Sequence, residues 1–107
     1  MTAPGTPGQW TVVQHRGLFS SASAPTLALT PASALTSGDL VVVAVAWGDQ
    51  TSTPVVTDTR GNVYTPTGPA ARYAGSRSVQ LFYAKNVLGG ATTVTATVPE
   101  AVANRFV

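Results

Sequence analysis

The chain has 107 residues, of which 44% are hydrophobic and only 9% are charged, so it has room for one domain with one core. Its six basic residues are scattered and its net charge is +2, which excludes the basic stripe of a nucleic-acid-binding protein. The absence of cysteine excludes disulfides, thiolate metal sites and a cysteine nucleophile.

Residues 1–9 form an arm rich in proline and glycine, which cannot form a helix and is predicted to be extended. Residues 10–107 are predicted to form a single β-sandwich domain. Its first strand is predicted at residues 10–14, which are rich in β-forming residues, and its second at residues 25–30, where apolar residues alternate with small or polar ones. Residues 31–37 have weak helical character and are predicted to be a loop.

The strongest predicted strand covers residues 40–47, with the sequence LVVVAVAW. A strand that is apolar on both faces is usually central and covered on both sides, so we expect this strand inside the sandwich. The run is far shorter than the roughly 20 residues of a membrane helix, and no membrane insertion is expected. One face of the strand carries Leu40, Val42, Ala44 and Ala46, and the other carries Val41, Val43, Val45 and Trp47.

Two short strands at residues 55–57 and 63–65 are predicted to form a hairpin that is closed by the turn TDTRGN. Further strands are predicted at residues 78–84 and 92–98. Short strands with glycine and proline between them predict an all-β fold, an antiparallel β-sandwich of jelly-roll or immunoglobulin-like type. In the last strand threonine alternates with apolar residues, so three side chains are expected to point inward: Val94, Ala96 and Val98.

Three segments occur in the order SGDLVVVAVAW, VTDTRGNVYT and VQLFYAKNVLGGATTVTATV. In these segments, which span about residues 26–98, the chain resembles a bacterial and phage family of β-sandwiches of jelly-roll type. The resemblance implies a module of secreted or cell-surface proteins, often beside carbohydrate-active enzymes, or a segment of a phage tail or capsid-surface protein. It implies no catalytic residue.

The resemblance also implies another strand and a second half of comparable length after the threonine-rich strand. The sequence ends at residues 104–107, Asn-Arg-Phe-Val, within what looks like that next strand. We therefore expect the N-terminal half of a jelly roll, whose open edge is completed by a second copy, a second fragment or a downstream segment. The isolated chain is predicted not to be a free monomer.

Catalytic residue types are scarce in the sequence. The one histidine, His15, adjoins the N-terminal arm, and no serine lies in a G-x-S-x-G elbow. Paired carboxylates for glycoside cleavage would have to come from Asp39, Asp49, Asp58 and Glu100, and each of these has a structural explanation at a strand end or turn. The chain is therefore predicted not to be an enzyme.

The turn TDTRGN has two interpretations. In the first, Gly61 takes the left-handed conformation while Asp58 and Asn62 cap free backbone amides. In the second, Asp58, Asn62 and backbone carbonyls supply oxygen ligands to calcium. Only one anionic residue is local, so we expect a turn and no cofactor, with calcium as the alternative.

Aromatic and polar side chains near the predicted strand ends suggest a sugar-binding site. The C–H faces of sugar rings stack on aromatic rings, and sugar hydroxyls need polar partners. A position in the core is an equally good interpretation for Trp47. The candidate carbohydrate ligands are Trp47, Asp49, Gln50, Tyr64, Arg72 and Tyr73.

These observations predict a non-catalytic module for attachment at a cell or virion surface, with a carbohydrate or surface glycan as its ligand. The alternative is a purely structural phage tail or capsid-surface protein that acts through protein–protein contacts. Both functions imply an extracellular, secreted or virion-surface location. The first ten residues lack the pattern of a signal peptide, which favours the virion.

Overall fold

The computed structural model describes residues 11–20, 24–48, 53–73, 77–102 and 105–106. Within these ranges no helix is long and apolar enough to cross a membrane. The predicted arm at residues 1–9 lies outside them. The strands of the described residues are β1 (Phe19–Ser20), β2 (Ala24–Leu29), β3 (Val41–Trp47), β4 (Val55–Asp58), β5 (Thr65–Pro66), β6 (Ala71–Tyr73), β7 (Arg77–Ala84), β8 (Val94–Val102) and β9 (Arg105–Phe106).

The strands form two antiparallel sheets. The larger sheet has the order β1-β9-β3-β7-β5, and β6 pairs with β7 beside β5. The smaller sheet has the order β2-β8-β4. Its pairs join distant parts of the chain, since Leu27 in β2 lies opposite Ala96 in β8. The prediction of an all-β fold with antiparallel sheets is confirmed.

The core lies between the two sheets and follows the two-residue period of the strands. In β8 the side chains of Val94, Ala96 and Val98 are buried, as the alternation predicted, and Thr95 and Thr97 between them are half-buried. In β3 only one face is buried, and it pairs with the buried face of β7, for example Val43 opposite Phe82. The buried cluster includes Val43, Val45, Trp47, Val56, Tyr64, Phe82, Ala84, Val87, Val94, Ala96 and Val98.

Two expectations for β3 and its neighbours differ from the structure. The prediction that β3 is covered on both faces is wrong, because the smaller sheet packs on one face of the larger sheet and Val42 on the other face is 60% exposed. The strand predicted at residues 10–14 is also wrong in its described part, since residues 11–18 pair with no strand. The side-chain amide of Gln14 instead bonds both backbone groups of Ser33, at 2.9 and 3.0 Å.

The predicted hairpin at TDTRGN is wrong. β4 pairs with β8 in the smaller sheet, whereas β5 pairs with β7 in the larger one. The residues between β4 and β5 therefore cross from one sheet to the other. Turn-forming residues specify a local change of direction but not the strand that pairs next, and for that reason the sequence pattern suggested a hairpin.

Candidate functional site

Residues 59–64, between β4 and β5, pass from the smaller sheet to the larger one, and we call them the crossover. The carboxylate of Asp58, at the end of β4, holds the crossover in place. Its Oδ1 accepts hydrogen bonds from the backbone amides of Arg60 and Asn62, at 2.9 and 3.1 Å. Its Oδ2 accepts from the side-chain amide of Asn62 and from the Tyr64 hydroxyl, both at 2.9 Å. Both carboxylate oxygens are therefore engaged within the crossover.

Gly61 lies at the tip of this crossover. Its φ is +74°, in the left-handed region, and its backbone amide donates to the Asp58 carbonyl at 3.2 Å. Left-handed φ is costly for residues that carry a Cβ, which explains glycine here. The predicted left-handed glycine with capping Asp58 and Asn62 is confirmed, although it serves a crossover rather than a hairpin.

The side chain of Asn62 joins the crossover to the loop between β7 and β8. Its Oδ1 accepts from the Leu88 amide at 2.8 Å, and its Nδ2 donates to the Leu88 carbonyl at 3.2 Å. Thr59 adds a second connection, because its Oγ1 accepts from the Thr92 amide at 2.9 Å. The segment is thus held to β4, to Tyr64 just before β5 and to the β7–β8 loop.

The hydrogen bonds around Asp58 change the acidity of both partners. Burial alone would raise the pKa of Asp58, but the bonds from Asn62, the Arg60 amide and Tyr64 outweigh burial and lower that pKa below its ordinary value. Burial raises the pKa of Tyr64, and so do its hydrogen bond to Asp58 and the negative charge there. At neutral pH the pair is therefore an ionised carboxylate and a neutral phenol.

The calcium interpretation requires oxygen atoms that turn toward an ion. Both oxygens of Asp58 and the Oδ1 of Asn62 already accept hydrogen bonds within the crossover. Among the described residues there is no group of three or more histidine, cysteine, aspartate or glutamate side chains that could hold a metal. The turn interpretation accounts for both side-chain oxygens of Asp58, and calcium stays the alternative that an experiment must test.

The candidate sugar ligands do not converge on one surface in the described part of the chain. Trp47 is 1% exposed and Tyr64 is 8% exposed, so neither ring presents a free face. The Arg72 guanidinium lies 5.8 Å from the centre of the Trp47 ring and donates to Ser78 Oγ at 3.1 Å. Tyr73 ends β6, opposite Arg77. Asp49 and Gln50 lie outside the described residues.

Two buried polar residues of β7 were not among the sequence candidates. Ser78 and Gln80 occupy inward positions, in alternation with exposed or half-buried neighbours, and Gln80 Nε2 donates to the Gly68 carbonyl at 2.9 Å. Neither Gln80 Oε1 nor Trp47 Nε1 has a hydrogen-bond partner in the described structure. The two-residue period of a strand puts Ser78 and Gln80 on the same side as Phe82 and Ala84, so the sequence pattern could have identified both polar residues as facing the core.

Apolar clefts lie beside β3 at the side away from β7. One, of about 370 Å³, is bordered by the first half of β3, by the side chains Leu29, Leu35 and Val94, and by residues 14–16. A second, of about 400 Å³, extends along residues 11–14. Neither cleft was predicted, because residues 11–14 were expected to belong to a paired strand and pair with no strand in the described structure.

No family model matches this chain, and no curated protein or solved structure shows significant similarity to it.

Proposed function

We propose that the chain is a non-catalytic β-sandwich module that assembles with other protein subunits at a cell or virion surface. The observation that carries this proposal is an apolar area on the outward face of the larger sheet. Val42 lies opposite Tyr83, and Ala44 lies opposite Leu81, so the four side chains share one side of the sheet. We call these four residues the outer patch.

The exposure of the outer patch supports a protein ligand. Val42 is 60% exposed and Leu81 is 44% exposed, while the opposite face of the same strands is buried. Contiguous apolar surface on a soluble domain typically marks a protein interaction site. A glycan is less well supported, because Trp47 and Tyr64, two of the candidate stacking residues, have buried rings.

Sedimentation velocity of the purified chain over a range of concentrations tests this function. We expect reversible self-association that Leu81→Lys abolishes, because the lysine ammonium would have to lose its hydration in an apolar contact. Val63→Lys is the matched control, since Val63 is 80% exposed and lies outside the outer patch. Self-association should survive in this control.

A native chain that remains monomeric at high concentration would contradict assembly through the outer patch. Binding of the monomer to an array of surface glycans would then favour the carbohydrate ligand that the sequence suggested. Equal self-association of the native chain and Leu81→Lys would place the contact elsewhere on the molecule.

A further inference from the structure

We propose that one buried water molecule bridges the indole nitrogen of Trp47 and the side-chain oxygen of Gln80. The site lies on the inner face of the larger sheet, where β3 pairs with β7, so it is independent of the outer patch on the opposite face. The hydrogen bonds that the two side chains need, together with their burial, identify the ligand as water.

Trp47 and Gln80 each bury a polar atom that has no hydrogen bond in the described structure. Trp47 is 1% exposed and its Nε1 has no acceptor there, while Gln80 is 7% exposed and its Oε1 has no donor there. Buried polar groups in folded proteins almost always have a partner, either another protein group or an ordered water. The inner face therefore carries one donor and one acceptor that both need a bond.

The register of β3 and β7 places these two side chains next to each other. Trp47 lies opposite Ser78, and Gln80 lies opposite Val45. Trp47 and Gln80 are therefore diagonal neighbours on one face of an antiparallel pair, about 7–8 Å apart, which long and aromatic side chains can span. All four residues are buried, so this face is the one that packs against the smaller sheet.

Arg72 shows where the Trp47 ring lies. Its guanidinium comes from β6, which pairs with β7 on the side away from β3. It donates to Ser78 Oγ at 3.1 Å and lies 5.8 Å from the centre of the Trp47 ring. The indole therefore extends over β7 beside Ser78, two residues from Gln80.

The carbonyl of Gly68 orients the Gln80 side chain. Gln80 Nε2 donates to this carbonyl at 2.9 Å, and only the nitrogen of a side-chain amide can donate, so the bond identifies Oε1 as the end without a partner. Gly68 lies between β5 and β6, which both pair with β7 on the side away from β3. The bond to Gly68 therefore leaves Oε1 on the side of Trp47.

A bridge between these two atoms has to accept a hydrogen bond from the indole and donate one to the amide oxygen. A cation cannot accept from an N–H group, an anion without a proton cannot donate to a carbonyl oxygen, and an apolar group does neither. Water does both, and buried waters typically have about two to four polar partners. The burial of Trp47 and Gln80 disfavours a larger hydroxyl compound.

NMR of the full 15N-labelled chain tests the site through the indole proton of Trp47. The sequence has two tryptophans, so the spectrum of Trp10→Phe assigns the Trp47 signal. We expect cross peaks between this proton and water in NOESY and ROESY spectra, with opposite signs in the two, as for a water that tumbles with the protein. Equal signs would mark proton exchange with bulk solvent.

Two variants locate the water. Gln80→Met should remove the cross peaks, because methionine has a similar length but offers the water no amide oxygen. Ser78→Ala is the matched control, since the nearby hydroxyl proton can exchange with water and relay the signal. The cross peaks should persist in this control.

Three results would overturn the inference, and the first two need only the native chain. One is an indole proton without a water cross peak, or with cross peaks of equal sign in both spectra. Another is a scalar coupling across a hydrogen bond between the Trp47 indole nitrogen and the Gln80 carboxamide, which would show a direct bond. The third is a cross peak that vanishes in Ser78→Ala or survives in Gln80→Met, which would assign the signal to another group.

Discussion

Asp58 accepts hydrogen bonds from two backbone amides, one side-chain amide and one phenol. This one side chain therefore fixes the conformation of the crossover. Charged acceptors form stronger hydrogen bonds than neutral ones, so the ionised carboxylate is the form that holds the turn. The same bonds lower its pKa, which makes the stability of the fold depend on acid pH in a defined direction.

The first prediction concerns that pH dependence. The pKa of Asp58 is lower in the folded chain than the ordinary value of 3.8, so its contribution to stability is fully present above that value. It is lost as the pH falls through the folded pKa. Urea unfolding between about pH 2 and pH 6 should show this decline, and Asp58→Asn should show a smaller one. Identical pH profiles for the two proteins would remove Asp58 from this role.

The second prediction separates backbone strain from side-chain size at Gly61. A Cβ at this position would meet nothing within 4 Å, so only the left-handed φ of +74° limits substitution. Gly61→Val should lower the free energy of unfolding by about 1–2 kcal/mol. Gly61→Asn should lower the free energy of unfolding by less than Gly61→Val does, because asparagine tolerates this conformation.

Thermal melts of the Gly61 variants with and without EDTA address the calcium interpretation in the same experiment. We expect the chelator to leave the native melting temperature unchanged, because the oxygen atoms of Asp58 and Asn62 already have donors. A melting temperature that falls on chelation would instead assign these two residues to a metal site.

At the scale of elements, the loops before β3 and after β7 pack closely through Gly89. A Cβ on Gly89 would lie 2.8 Å from the backbone nitrogen of Ser37 and 3.3 Å from the carbonyl oxygen of Leu35. The backbone there is held by bonds such as that from the Gly90 amide to the Leu35 carbonyl, at 2.8 Å. The contact leaves no space for a side chain.

The third prediction is therefore that Gly89→Ala destabilises the fold by about 1–3 kcal/mol, because backbone must move to admit the methyl group. Gly68→Ala is the matched control, since a Cβ on Gly68 would meet nothing within 4 Å. Chemical denaturation of both variants measures the difference. Equal stabilities would show that the two loops separate at little cost.

The elements also show which features a sequence pattern can predict. Alternation in β8 and the apolar run of β3 identified both strands and the inward face of β8, because side-chain direction depends only on neighbours in sequence. Strand pairing depends on distant residues. For that reason the crossover after β4 was predicted as a hairpin, although β4 pairs with β8. Residues 11–14 were likewise predicted as part of a strand, although they pair with no strand in the described structure.

The candidate site also contains residues whose roles could be predicted from the sequence and residues whose positions could not. The roles of Asp58, Gly61 and Asn62 follow from local turn chemistry and were predictable. The sequence left a core position and a sugar-binding position open for Trp47, and the packing of one sheet on the other buries both Trp47 and Tyr64. The position of β3 between β9 and β7 could be identified only after the strand order was known.

At the scale of the whole molecule, the central position of β8 in the smaller sheet determines when the chain can fold. β8 lies between β2 and β4, yet it follows both in the chain, so neither has its neighbour until β8 has been synthesised. In the larger sheet, β1 and β9 pair across almost the full length of the sequence, at Phe19 and Phe106. Topologies of this kind have high contact order and fold on the order of milliseconds to seconds. During translation the valines of β3 therefore emerge from the ribosome well before the strands that bury them, and this interval is when the nascent chain is most exposed to aggregation.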